Sequence, residues 1–361
     1  MSTKKYKIVK SESIVYKGRT LYRIKALKTF CVACTAISIV VKKGELGGFI
    51  ETENNLSQEG YCWIFNNAKV YDDARVSEDA KICGGAEIFD SAEVFGNAEI
   101  SGNTQIFYGA HVCGNAKVYG YAKVCGKARV YGEAKVYNFA KILDNAQVYD
   151  NAKIYENAIV AGDVQIYHNA QVYGNAWIYD DAFICDNARI FGFAKIFNKA
   201  IVYGNAKVYG NTQIFGKAKV YGNAEVYENA AIFDYAFIFG DAKVFSNAKI
   251  FGTTWLYGAA KIDDKLNLNK GKYIFATLNI DETLSEIEPI CYKISFAVRV
   301  IELKLPIEQG YIESLVSELA KYDELIDYFH SNECEIIFTP NENKIYKLLL
   351  QSKQNIENFY K

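Results

Sequence analysis

Proline is nearly missing from this sequence. There are three in 361 residues, alongside one methionine, three histidines and three tryptophans. Proline lacks a backbone N–H and interrupts ladder hydrogen bonds, so its scarcity suits a chain built mostly of paired strands. Scarce histidine leaves few general bases. His111, His168 and His330 occupy unrelated positions, with no evident partner beside them, and each reads as a surface histidine. No catalytic residue, cofactor or metal set is therefore expected. An excess of charge is missing as well. The formal net charge is −1, which excludes a whole-protein field that would draw the chain to nucleic acid or membrane. No apolar run approaches membrane-spanning length. None follows Met1-Ser2-Thr3-Lys4-Lys5-Tyr6, so a signal peptide is not expected and the cytoplasm is.

Cysteine is present, nine times. Cys83, Cys113, Cys125 and Cys185 fall on outward positions of the repeat described next, none 18 residues from another. Bridging needs Cα atoms within about 7 Å, so these read as exposed free thiols, which fits a reducing compartment. Cys31-Val32-Ala33-Cys34 is a lone CxxC within an apolar stretch (Ala36, Ile37, Ile39, Val40), without the second pair that zinc would want.

What fills the sequence is one six-residue phrase, Asn205-Ala206-Lys207-Val208-Tyr209-Gly210 in its plainest form. From Ile64 to Leu268 every sixth residue is Val, Ile or Leu. Two residues before each stands, nearly always, Ala, with Thr104, Val164, Thr212 and Thr254 as substitutes within the run. Side chains alternate across a strand, so an inward Val places its Lys and Tyr neighbours outside. Gly-Asn supplies a corner where positive φ is tolerated. Three such sides close a triangle of about 18 residues, and triangles stack at about 4.8 Å. About eleven coils give a rod of roughly 50 Å, with a dry interior of Val, Ile and Ala. Any chemistry is then confined to faces, corners and ends.

This pattern resembles the hexapeptide-repeat family of left-handed parallel β-helices, whose motif is matched by Val208, Tyr209, Gly210, Asn211 and Thr212. The left hand is implied by that resemblance. The outward position after the aliphatic is aromatic here (Tyr119, Tyr137, Phe191, Tyr209), where acyltransferase members often carry Gly, and the loop that interrupts their coil has no room. The stretch leading into the first coil, with Gly47-Gly48-Phe49, Asn55-Leu56-Ser57-Gln58 and Cys62-Trp63-Ile64, resembles the YdcK-like branch, which is bacterial and phage-associated. That resemblance implies a β-helix with no catalytic residues to carry over. Gly44, Gly47 and Gly48 lack the Lys-Ser/Thr of a phosphate loop.

The fold class expected is mainly β: a single-stranded left-handed parallel β-helix over 62–268, an N-terminal β cap over 1–61, and a small α+β domain over 269–361. In the cap, Tyr6 to Tyr16 and Leu21 to Leu27 read as strands around a Lys17-Gly18 turn. In the last domain, Ile307 to His330 has helical apolar spacing.

Because outward residues stack every 18, the faces read as ladders. Lys117, Lys135, Lys153, Arg189 and Lys207 stand beside Tyr119, Tyr137, Tyr155 and their continuation, a basic and aromatic pattern suited to a nucleic acid or another polyanion. The same ladders also serve stability and solubility without any ligand. Ile159, Trp177, Phe183, Ile201, Phe237 and Trp255 replace the usual Lys and suggest an interface, to the C-terminal module or to another subunit. Asp163, Asp180 and Asp181 gather at a corner, with Lys199 and Lys217 next in line to neutralise them. The expected role is a non-enzymatic scaffold or binding protein, of phage or mobile-element association, with a protein partner or self-association and no membrane. An acyltransferase-like enzyme acting at an oligomer interface is the first alternative, and polyanion or nucleic-acid binding the second.

Overall fold

The computed structural model of the protein describes residues 4–32, 39–256, 260–263, 267–268 and 351. The α+β module expected over 269–361 lies outside the described residues apart from Gln351, as does Cys34 of the CxxC pair. From Trp63 to Leu268 the chain is a parallel β-helix. Each hexapeptide contributes a strand of two residues, such as Lys117–Val118 and Lys135–Val136. Each strand pairs in parallel with the one 18 residues on, so that Lys117 faces Lys135 and Val118 faces Val136. Three sheets of 15, 11 and 12 strands result, the first of which also takes in the cap. The first face carries Lys69, Glu87, Gln105 and Lys123 outward, the second Arg75, Glu93 and His111, the third Lys81, Glu99 and Lys117.

The inward residues are the aliphatics and the alanines, at 0% exposure from Ala80 to Ile262 without a break. A six-residue side closed by tight corners leaves room for one branched aliphatic and one methyl, which is why the position two before the aliphatic stays small. Thr104, Thr212 and Thr254 take the Ala position and are buried, so the interior is not wholly free of polar atoms. Thr254 turns its hydroxyl to the wall and donates to the Phe251 carbonyl at 2.6 Å. Thr212 does the same to Tyr209 at 2.5 Å. Backbone groups are satisfied between coils, as in Lys117 N–H to Ala134 O at 2.9 Å and Tyr119 N–H to Val136 O at 3.0 Å.

The first corner residue has positive φ throughout. Where it is glycine the coil above is close: a Cβ on Gly120 (φ +80°) would lie 2.9 Å from the Asn138 nitrogen. Where it is Asp or Glu, the carboxylate accepts the backbone N–H of the residue 18 further on. Asp144 accepts from Gly162 at 3.0 Å, Glu156 from Gly174 at 2.8 Å, Asp186 from Gly204 at 3.0 Å and Glu228 from Ser246 at 2.8 Å.

The cap consists of β1 (Tyr6–Tyr16), β2 (Arg19–Ala26), β3 (Phe30–Val32), β4 (Ile39–Val41) and β5 (Leu46–Ile50). β1 and β2 form an antiparallel hairpin around Lys17 and Gly18, as the alternation predicts. β5 pairs antiparallel with β2 on one side and parallel with the first coil strand of the first face, Lys69–Val70, on the other. This strand converts hairpin pairing into coil pairing and covers an edge that would otherwise recruit other chains. Gly47 and Gly48 are required there by close approach: a Cβ on Gly48 would sit 2.4 Å from Ile64 Cγ2 and 2.5 Å from the Ala68 carbonyl oxygen. Over the mouth of the prism, Trp63 packs edge-on against Tyr6 and Phe30, with ring centroids 6.3 and 5.4 Å away. Lys5, 1% exposed, turns its ammonium to the carbonyls of Glu59 and Cys62, each at 3.1 Å, and of Gly60 at 3.3 Å.

Candidate binding faces

On the third face, Lys117, Lys135 and Lys153 stand in direct register, followed by Gln171, Arg189 and Lys207. Carboxylates neutralise both ends of this column. Glu99 holds Lys117 at 2.9 Å and Lys81 at 3.2 Å. Glu225 holds Lys207 at 2.9 Å and Lys243 at 3.3 Å. Burial raises the pKa of Glu99, but the hydrogen bonds from Lys117 and Lys81 outweigh it and leave the value lowered. Lys135, Lys153 and Arg189, in the middle, have no carboxylate partner among the described residues.

The aromatic ladder beside them is continuous. Tyr119, Tyr137, Tyr155, Tyr173, Phe191, Tyr209 and Tyr227 stack with centroids 4.7 to 5.1 Å apart and nearly parallel planes. The rings spend their faces on one another, and a gap of this size does not admit a base between them. The structure thus brings together the cations and aromatics that the sequence placed side by side, but leaves ring edges for a ligand instead of stacking platforms. Burial pushes the ladder phenols upward, to about 12 for Tyr155, so none is poised as a base.

The six apolar residues do not form one surface. Ile159 and Trp177 are paired neighbours on the first face. Phe183 with Ile201, and Phe237 with Trp255, are paired neighbours on the second face, separated by Lys219. The Lys219 ammonium lies 5.3 Å from the Phe237 ring centroid. Phe197, Phe215 and Phe233 stack in a ladder of their own beside the first face. An 18-residue arithmetic applied to the sequence separates these columns; reading the residues only as departures from Lys merges them.

At the corner between first and second faces, Asp163, Asp180, Asp181, Lys199 and Lys217 line a shallow groove of about 670 Å³. Two of the carboxylates are already engaged: Asp180 accepts from the Asn198 backbone at 3.1 Å and side chain at 2.9 Å, and Asp163 from Asn145 at 2.9 Å. No group of metal-ligating side chains occurs among the described residues. At the corner between second and third faces the asparagine ladder forms amide chains, Asn169 to Asn187 to Asn205 to Asn223, ending on the Asp241 carboxylate at 2.9 Å.

Two expectations need correction. The thiols are less open than expected: Cys185 is buried, and Cys83, Cys113 and Cys125 are half-buried. Burial raises the pKa of Cys113, Cys125 and Cys185, which keeps them protonated and unreactive. His168 does have partners. Its Nδ1 lies 2.9 Å from Asp186 Oδ1, and its Nε2 4.0 Å from Asp150 Oδ2. These are the residues 18 before and 18 after it, a signal present in the sequence and missed there. His111, on the second face, stands between Glu93 and Arg129.

Among the described residues no helix is long and apolar enough to cross a membrane. The sequence matches no protein-family model and no curated protein.

Proposed function

We propose that the protein is a non-enzymatic binding rod, a YdcK-like left-handed β-helix that presents its faces and C-terminal module to a macromolecular partner in the cytoplasm. The observation that carries this reading is the filled interior: every inward aliphatic and alanine of the prism is buried against its neighbours, so recognition falls to outward ladders at fixed spacing. Rigid periodic faces suit extended partners, because one contact repeats on every coil. The expected result with acetyl-CoA is no change in melting temperature. Stabilisation by acetyl-CoA alone would replace this reading with an acyltransferase, since a ligand bound only by the native state raises stability. In that case His168, oriented by Asp186, is the residue to substitute first.

Lys135, Lys153 and Arg189 favour a second reading, a polyanion site on the third face. Cations aligned in register without carboxylates repel one another, and a ligand of opposite charge relieves that repulsion. Binding of a polyanion there is expected to weaken steeply with salt and to disappear in the double variant Lys135→Glu, Lys153→Glu. No binding at low salt would remove it.

A further inference from the structure

A groove of about 650 Å³ runs along the corner between the third and first faces. Two columns line it. On the first face stand Gln105, Lys123, Lys141, Ile159 and Trp177; at the corner stand Asn103, Tyr121, Phe139, Asn157 and Asn175. Successive members are one coil apart, so the groove extends about 19 Å along the axis. Only Ile159 and Trp177 of this set stood out in the sequence.

Three features combine in it. First, none of its lining residues is acidic, although Lys123 and Lys141 are paired directly opposite each other. Like charges in that position are unfavourable; Glu99 and Glu225 relieve them at the two ends of the third-face column, whereas the groove, like the middle of that column, has no such relief. Secondly, its amides are unspent. Gln147, Gln165 and Gln171 accept hydrogen bonds from Tyr131, Tyr149 and Tyr155, sixteen residues earlier. The residue sixteen before Gln105 is Phe89, which has no hydroxyl. The side chains of Gln105, Asn103, Asn157 and Asn175 have no hydrogen-bond partner among the described residues. Thirdly, its rings are open. Tyr121 and Phe139 are 54% and 56% exposed, and they stack on each other 5.1 Å apart with planes 9° from parallel. Stacking along the axis turns ring edges toward the groove. Trp177 is 48% exposed, with the Lys195 ammonium 5.9 Å from its ring centroid.

Ring edges carry partial positive charge. Together with two ammonium groups and four free amides, they make a surface that favours oxygen-rich, anionic ligands. A nucleic-acid strand needs ring faces for its bases, and the 5.1 Å stack withholds them. An added peptide strand needs an open sheet edge, and the backbone in this wall is already bonded from coil to coil, as in Lys123 N–H to Ala140 O at 2.9 Å. Hydroxyl groups, in contrast, are donors and acceptors at once and match side-chain amides. Amides outnumber cations in the groove, which points to a sparse rather than dense negative charge. We propose that this groove binds an acidic oligosaccharide, a polyhydroxylated chain bearing carboxylates, laid along the rod with its carboxylates at Lys123 and Lys141.

The inference deepens the reading of the rod as a binding surface and rests on it. Stabilisation by acetyl-CoA would undo both, whereas failure in the experiment below undoes only the groove. The full chain is titrated at low salt with oligogalacturonate, oligoalginate and hyaluronan fragments, and with maltoheptaose, oligo-dT and poly-glutamate as comparisons, following tryptophan emission. At least one acidic oligosaccharide is expected to shift the emission, and the shift is expected to vanish in Trp177→Phe. Lys123→Gln with Lys141→Gln, and separately Tyr121→Ala with Phe139→Ala, should weaken binding ten-fold or more with unfolding unchanged. Lys135→Gln with Lys153→Gln should leave it intact. The proposal is overturned if no acidic oligosaccharide binds, if oligo-dT or poly-glutamate binds the groove equally well, or if the groove variants bind as the wild type does.

Discussion

Asp144 sits in the left-handed region, at φ +59°, where a side chain is strained by about 1–2 kcal/mol. Glycine occupies the same corner position in many coils. The acid is tolerated because its carboxylate accepts the Gly162 N–H from the coil above. Asp144→Ala keeps the strain and deletes the bond, so it is expected to destabilise by about 1–2 kcal/mol. Asp144→Gly deletes the bond but relieves the strain, and is expected to be distinctly milder. Urea unfolding midpoints check the ranking; equal losses would show that the bond between coils is not what compensates the corner. The chemistry of individual residues was only partly legible in the sequence. That Asp, Asn and Gly alternate at corners was visible, but not that the acids reach the next coil, because that depends on which way a one- or two-carbon stem turns. His168 between Asp150 and Asp186, in contrast, follows from counting by 18.

Among the elements, the cap shows how a short hairpin is fixed to a prism. Lys17 reaches across to Glu87 at 2.8 Å, and Tyr16 donates to the same carboxylate at 2.6 Å. Burial pushes the pKa of Glu87 up, but hydrogen bonds from Lys17 and Tyr16 outweigh it, and the folded value is lowered. A lowered folded pKa means stability that is present above the unfolded value, about 4.3, and lost as pH falls through the folded one. Glu87→Gln is therefore expected to lower the stability of the cap at neutral pH by about 1–2 kcal/mol, with the gap closing as pH drops below about 4. Melting temperatures of both proteins across pH 3–7 test this; a gap independent of pH would assign the loss to packing. At this scale the sequence was informative. The hairpin, its Lys17-Gly18 turn and one short strand per hexapeptide all follow from alternation and periodicity. The outward columns were harder, since membership of a face needs the residue number modulo 18 and not merely its type. Hence residue type alone groups Ile159 and Trp177 with Phe183, Ile201, Phe237 and Trp255 across a corner, while Tyr121, Phe139 and the unspent amides are each ordinary when taken singly.

For the whole molecule, regularity decides what the chain is able to do. An unbroken six-residue period fills the prism with side chains of matched volume, and interiors packed this way hold neither water nor ligand. Specificity then resides in which outward residue occupies which coil, and the first, second and third faces differ in that respect alone. The most direct test of the filled prism is diffraction from crystals pressurised with xenon, which enters dry apolar cavities. A filled prism gives electron density for Val, Ile, Leu, Ala and Thr side chains in continuous contact from Ile64 to Ile262, with no xenon and no ordered water inside the triangle. A xenon site or a water file along the prism axis would contradict it.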